Sequence, residues 1–196
     1  SEVIFWGGNQ LNSGGRYNPT TDSWTLTSLT NAPAGRSYHG AVSTGGLMLV
    51  WGGIAPVYGP EPKAGGRYDP GSVSWTPMST GDAPEARTVP IAVWTGTQMI
   101  VWGGADTVDA FFSGGRYDPA LDTWSPTSMI GVPSALGTAL WTGDRMLIWG
   151  GLSNTGYSDT GGSYGPIADT WAPISTAGGP SARSGHTAVW TGSRMV

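Results

Sequence analysis

The stretch LMLVWGG, Leu47–Gly53, returns as QMIVWGG at Gln98–Gly104 and as RMLIWGG at Arg145–Gly151. A fourth version, EVIFWGG, spans Glu2–Gly8. Each is a short apolar run closed by Trp-Gly-Gly. Apolar residues stand at successive positions, so both faces of the run are covered, as in a strand within a sheet that is packed on both sides.

Two further marks keep register with these runs. Tyr and Trp recur seven residues apart, at Tyr17/Trp24, Tyr68/Trp75, Tyr117/Trp124 and Tyr164/Trp171. Ahead of the apolar runs stand PAGRSYHGAVSTGG from Pro33, PEARTVPIAVWTGT from Pro84, PSALGTALWTGD from Pro133 and PSARSGHTAVWTGS from Pro180. Three marks recurring together define an internal repeat of about 49 residues. Each unit reads as four strands. Strand a lies near Tyr38–Ser43, Ile91–Trp94, Thr138–Trp141 and Thr187–Trp190, and a Thr-Gly turn joins it to strand b, the Trp-Gly-Gly run. Strand c carries Tyr17, Tyr68, Tyr117 or Tyr164, and strand d carries the downstream Trp. Pro77, Pro126 and Pro173 fall in strand d and remove ladder donors, which places d at an outer edge. No segment shows helical periodicity.

Such a sheet cannot bury both its faces alone. Radial stacking gives each sheet two neighbours, and the chain reads as an all-β propeller of four four-stranded antiparallel blades. The whole of 1–196 forms one domain, with repeats at about 34–80, 85–130 and 134–177. Residues 1–30 lack a strand a, and the C-terminal strand at 184–196 lacks its b, c and d. Together they make a composite blade. The ring then closes within one chain, or two chains exchange strands as a homodimer with an eight-bladed ring.

Composition narrows the function. The 196 residues include 33 Gly, 11 Trp and 7 Tyr, and only 11% are charged. That many large rings argue for a folded chain. The net charge of -4, with no Lys/Arg cluster, argues against nucleic acid as a partner. No apolar run approaches the length of a membrane span. With no Cys, disulfides and thiolate chemistry are unavailable. The compartment stays open: secreted, periplasmic and cytoplasmic settings all fit.

The glycine pairs Gly7/Gly8, Gly52/Gly53, Gly103/Gly104 and Gly150/Gly151 resemble those of the kelch repeat family. So do the Tyr and Trp of each unit and the Arg and His of RSYHGAV and RSGHTAV. The closeness of the units to one another resembles bacterial kelch arrays, or an excised or engineered piece of one. The resemblance covers essentially the whole chain and implies a propeller. Its functional implications are broader: a non-enzymatic interaction or structural scaffold, a carbohydrate-binding module, or a kelch-like sugar isomerase or lyase. Kelch-like copper oxidases carry a Cys-linked Tyr, so a chain without Cys excludes that chemistry.

Candidate contact residues fall into three groups. Arg36, Arg87 and Arg183 recur before strand a. They either tie loop carbonyls or converge on an anionic or sugar ligand. His39 and His186 share one repeat position, but two His without a third ligand do not make a metal site. No cofactor is expected, and no catalytic residue is assigned. The b–c loops are where the units stop resembling one another. They carry Tyr58, Phe111, Phe112 and Tyr157, and aromatic side chains on divergent loops over a rigid frame suit a binding face.

Overall fold

A computed structural model describes residues 2–55, 63–133, 137–153 and 155–196. The first sheet holds β1 (Val3–Trp6), β2 (Gly14–Asn18) and β3 (Ser23–Leu26). The second holds β4 (Gly40–Ser43), β5 (Met48–Trp51), β6 (Gly65–Asp69) and β7 (Ser74–Pro77). The third holds β8 (Ile91–Trp94), β9 (Met99–Trp102), β10 (Gly114–Asp118) and β11 (Thr123–Pro126). The fourth begins with β12 (Thr138–Trp141) and β13 (Met146–Trp149). A small hairpin, β14 (Leu152–Ser153) and β15 (Gly156–Tyr157), follows, and β16 (Gly161–Gly165) and β17 (Thr170–Pro173) complete the sheet. Neighbouring strands are antiparallel and, apart from that hairpin, pair in chain order. The described residues contain no helix.

The a–b turns explain the regular register. In each, a Thr hydroxyl caps the turn: Thr44 Oγ1 accepts from Leu47 N at 2.9 Å, Thr95 Oγ1 from Gln98 N at 2.9 Å and Thr142 Oγ1 from Arg145 N at 3.1 Å. The central Gly45, Gly96 and Gly143 sit at φ 89, 101 and 110, conformations a side chain opposes. Strand a of the second unit starts at Gly40 and not at Tyr38. Tyr38 has φ 56, a left-handed turn of the backbone that no strand continues through.

The b strands form the centre of each sheet. Leu49, Val50 and Trp51, and the whole of Met99–Trp102, have no solvent exposure. The sheets stack through one repeated contact. The b-strand Trp of one unit meets the d-strand Trp of the next: Trp6 with Trp75 at 5.1 Å, Trp51 with Trp124 at 5.4 Å and Trp102 with Trp171 at 5.1 Å. The d-strand indoles reach back to the preceding unit. Trp75 Nε1 donates to Ser28 O, Trp124 to Ser79 O and Trp171 to Ser128 O, at 3.0, 3.0 and 3.1 Å. Pro33, Pro84 and Pro133 of the d–a loops each lie on a strand c glycine of the following unit. A Cβ at Gly66 would come within 2.5 Å of Pro33, and one at Gly115 within 2.8 Å of Pro84.

Blade-to-blade polar contacts follow the same logic. Asp122 Oδ1 accepts from Tyr117 Oη at 2.6 Å and from Ser79 N at 2.9 Å. Asp169 Oδ1 does the same for Tyr164 Oη at 2.6 Å and Ser128 N at 2.8 Å. In the second unit Val73 stands at this place, and the buried Tyr68 hydroxyl has no partner. Val73 keeps the backbone of the carboxylates, φ 52 against 54 for Asp122 and 51 for Asp169.

The four units therefore form the expected series of blade-like sheets, but the ring is not closed in this chain. The first sheet has three strands, and β1 pairs with β2 alone among the described residues. The C-terminal segment is committed elsewhere. Gly151 N donates to Arg183 O at 2.9 Å, and Thr138 Oγ1 donates to His186 O at 2.8 Å, so the segment lies on the fourth sheet. The expected strand Thr187–Trp190 folds on residues 194–196 instead: Trp190 bridges Met195, and Val189 and Val196 exchange hydrogen bonds of 2.9 and 3.0 Å. The composite blade of residues 1–30 with 184–196 does not form within the chain.

Val73→Asp should raise stability by about 1 kcal/mol, because the carboxylate supplies the acceptor that Tyr68 Oη and Ser28 N lack and suits a left-handed backbone better than a β-branched side chain. Urea unfolding of the two proteins measures this; equal or lower stability would refute the account. Acid should act through the existing pair. Burial opposes the charge on Asp122 and Asp169, but bonds from Tyr117 and Ser79, or Tyr164 and Ser128, and the nearby Arg67 or Arg116, together lower both carboxyls below the usual 3.8. Their stabilisation is complete above that value and is lost as pH falls through the lowered folded-state values. Unfolding midpoints measured from pH 6 downwards should hold and then fall below about pH 4.

Candidate functional site

Alternation of strand direction brings the b–c and d–a loops to one end of every sheet, and the hydrogen bonds show them joined there. Ile54 N donates to Ser37 O at 2.8 Å, and Ala105 N donates to Thr88 O at 3.0 Å. Adjacent units are linked at the same end: Gly8 N to Arg36 O at 2.9 Å and Gly53 N to Arg87 O at 2.8 Å. The first glycine of a pair makes room for the neighbouring unit, as at Gly52, where a Cβ would come within 2.9 Å of Arg87 O, and the second, at Gly53 and Gly104, makes room for the d–a loop of its own unit. At φ 91, Gly53 would bring a Cβ within 2.5 Å of Ser37 O.

The structure sets the recurrent arginines inside this frame. Arg36 is 1% exposed; its Nη1 donates to Gly52 O at 2.9 Å and Ala64 O at 2.7 Å, and its Nε to Ala34 O at 3.0 Å. Arg87 is equally buried, with bonds to Glu85 O, Gly103 O and Ser113 O of 2.8, 3.1 and 2.8 Å. Phe111 covers it, with the guanidinium carbon 4.2 Å from the ring centroid. Burial lowers both guanidinium groups to about 10, and they remain charged at neutral pH. Each clamps the exit of its own strand b to the following loop and spends its bonds there. Arg183 is exposed, and among the described residues its guanidinium bonds within its own turn, to Ser181 O and Ser181 Oγ at 2.9 and 3.0 Å.

The histidines occupy equivalent niches on different sheets. His39 stands edge-on to Trp6 at 5.4 Å, and His186 edge-on to Trp149 at 5.4 Å. Burial, with the Arg36 charge, keeps His39 below its ordinary value. Among the described residues no group of three or more His, Cys, Asp or Glu could hold a metal. No helix there is long and apolar enough to cross a membrane.

Of the loop aromatics, Phe111 and Phe112 are half-buried, and Tyr157 is exposed on β15, paired to Leu152. Tyr58 lies outside the described residues. Two exposed side chains at the same end were missed by the sequence reading. Tyr38 is 70% exposed at φ 56 and Val89 is 56% exposed at φ 50. Val89 N donates to Tyr38 O at 2.8 Å, joining adjacent units. Gly185, at φ 67, holds the same place in RSGHTAV. That glycine was the available signal: it marks a left-handed position that Tyr38 and Val89 fill without glycine's freedom.

Antiparallel sheets stacked side by side through a repeated Trp contact, with their variable loops gathered at one end, define a blade-type β-repeat protein. The family model for the KLHDC2/KLHL20/DRC7 Kelch-repeats domain matches residues 1–196, and the chain belongs to this kelch-repeat family. Comparison with curated proteins gives no match.

Arg36→Met and Arg87→Met should each lower stability by about 2–4 kcal/mol, since each strands buried carbonyls. Arg183→Met should change it by less than about 0.5 kcal/mol. Guanidinium chloride unfolding of the three variants makes the comparison, and equal losses would refute the clamp.

Proposed function

We propose that the chain is a non-enzymatic kelch scaffold. Its b–c and d–a loop end binds a segment of a protein partner. Kelch-family membership supports the scaffold reading. The observation that carries the binding face is the pair Tyr38 and Val89. Both hold apolar side chains in solvent on left-handed backbone, where a β-branched residue is a particular outlier. Such strain costs about 1–3 kcal/mol per residue and persists where the surroundings enforce it, which here they do through the Val89–Tyr38 bond. Val108 and Tyr157 extend the exposed apolar surface across the loops of the third and fourth units.

A displayed library of linear peptides, selected on the folded chain, tests this. Selected peptides should bind the Tyr38→Ser/Val89→Gly double variant at least about tenfold more weakly, while its unfolding midpoint is not lowered. Peptides that bind both proteins alike would overturn the loop-face reading.

A further inference from the structure

Three units close their strand c Tyr on an Asp five residues further on. Tyr17 Oη donates to Asp22 Oδ1 at 2.8 Å, and Tyr117 to Asp122 and Tyr164 to Asp169, both at 2.6 Å. In the third and fourth units the same oxygen also accepts from the preceding unit, from Ser79 N or Ser128 N. The second oxygen turns towards Arg67 or Arg116, at 3.7 or 3.9 Å. One carboxylate thus serves three donors drawn from two units.

The seam between the first and second units has the donors without the carboxylate. Tyr68 has no solvent exposure, and its hydroxyl has no partner among the described residues. Ser28 is held as Ser79 is: its carbonyl takes Trp75 Nε1 as Ser79 O takes Trp124 Nε1, both at 3.0 Å, which aims its N–H at the same place. Arg16 holds the strand c position of Arg67 and Arg116, close enough for its charge to act on the Tyr68 hydroxyl. Glu2 takes its Nε and Nη2, at 2.8 and 2.7 Å, and leaves Nη1. Val73 keeps the backbone of Asp122, φ 52 against 54. Its methyls end one bond from Cβ, however, and a carboxylate oxygen lies two bonds out. At 39% exposure, Val73 also leaves the place open to approach from solvent.

A hydroxyl, a backbone N–H and a guanidinium converging together call for a group that accepts and does not donate. The other seams show its form: one oxygen shared by the O–H and N–H, a second facing the guanidinium. Glu2 balances the charge of Arg16, which favours one negative charge over two. We propose that this seam is a binding site for a small monovalent carboxylate, of the size of formate or acetate, with Tyr68 Oη, Ser28 N and Arg16 Nη1 as its donors. The ligand bonds both units at once and does here what Asp122 does in the next seam. The site is separate from the loop end and stands whether or not that end binds a peptide.

Thermal unfolding of the native chain, Val73→Asp and Tyr68→Phe, with and without sodium formate at about 0.2 M, tests this. Formate should raise the native Tm by about 2–4 °C more than that of either variant. One variant carries its own carboxylate at the site, and the other lacks the hydroxyl donor. Tyr68→Phe removes a hydroxyl that bonds no protein group, so it should fold as the native chain does. Saturation transfer from the protein to the formate proton should appear with the native chain and be lost in both variants. Equal Tm shifts in all three proteins, or transfer that persists in Tyr68→Phe, would overturn the site. Phosphate at the same ionic strength should give no difference between the native chain and the variants. A larger difference with phosphate than with formate would overturn the assignment to a monovalent carboxylate.

Discussion

The contact between a b-strand Trp and the d-strand Trp of the following unit is the constraint on which the arrangement rests. A sheet of four short strands has two faces, and in the second and third units both are apolar at the centre. Only a neighbour on each side removes both from water. The Trp pair does this at centroid distances of 5.1 to 5.4 Å with planes tilted by 56 to 57°, and the indole N–H is satisfied on a backbone carbonyl across the seam. A large apolar ring with one polar handle suits a seam of this kind, since burial supplies most of the attraction and the hydrogen bond fixes the angle. The repeated geometry makes each sheet the template for the next.

The loop end is rigid for a different reason. Buried charges are costly unless every donor finds an acceptor. Arg36 and Arg87 offset that cost with Nη1 bonds to backbone carbonyls from the strand b exit and from the far side of the b–c loop. A guanidinium that bonds carbonyls of two segments fixes their separation as a short staple would. The glycines just after each Trp let the neighbouring unit's chain approach closely enough to add a further backbone bond. Divergent loop sequences therefore sit on a frame that does not change with them.

Much of this was legible in the residues. The number of units, the strand order, the central place of the Trp-Gly-Gly run and the outer place of the Pro-bearing strand all follow from patterns of burial and missing donors. The arginines were legible as a recurring set, but their aim was not. Whether a guanidinium turns into a loop or out to solvent depends on where carbonyls fall in space, and spacing alone does not carry that. Tyr38 and Val89 escaped for a related reason: nothing in Tyr or Val announces a left-handed backbone, and only the Gly185 of a sister unit hints at it. Strand a of the second unit starts late because of the same turn. The fate of the last strand was least legible of all, since TAVW reads as a strand whether its partner is β1 or the three residues that follow its own turn.

Repetition lets one solution serve every interior seam. The surface that holds one unit to the next is each time an apolar face, a tilted Trp pair and an indole hydrogen bond to the preceding unit. What satisfies a seam is another part of the same repeat, so neighbouring units are selected by shape and hydrogen-bond pattern together, and the divergent loop end is left free to recognise something else.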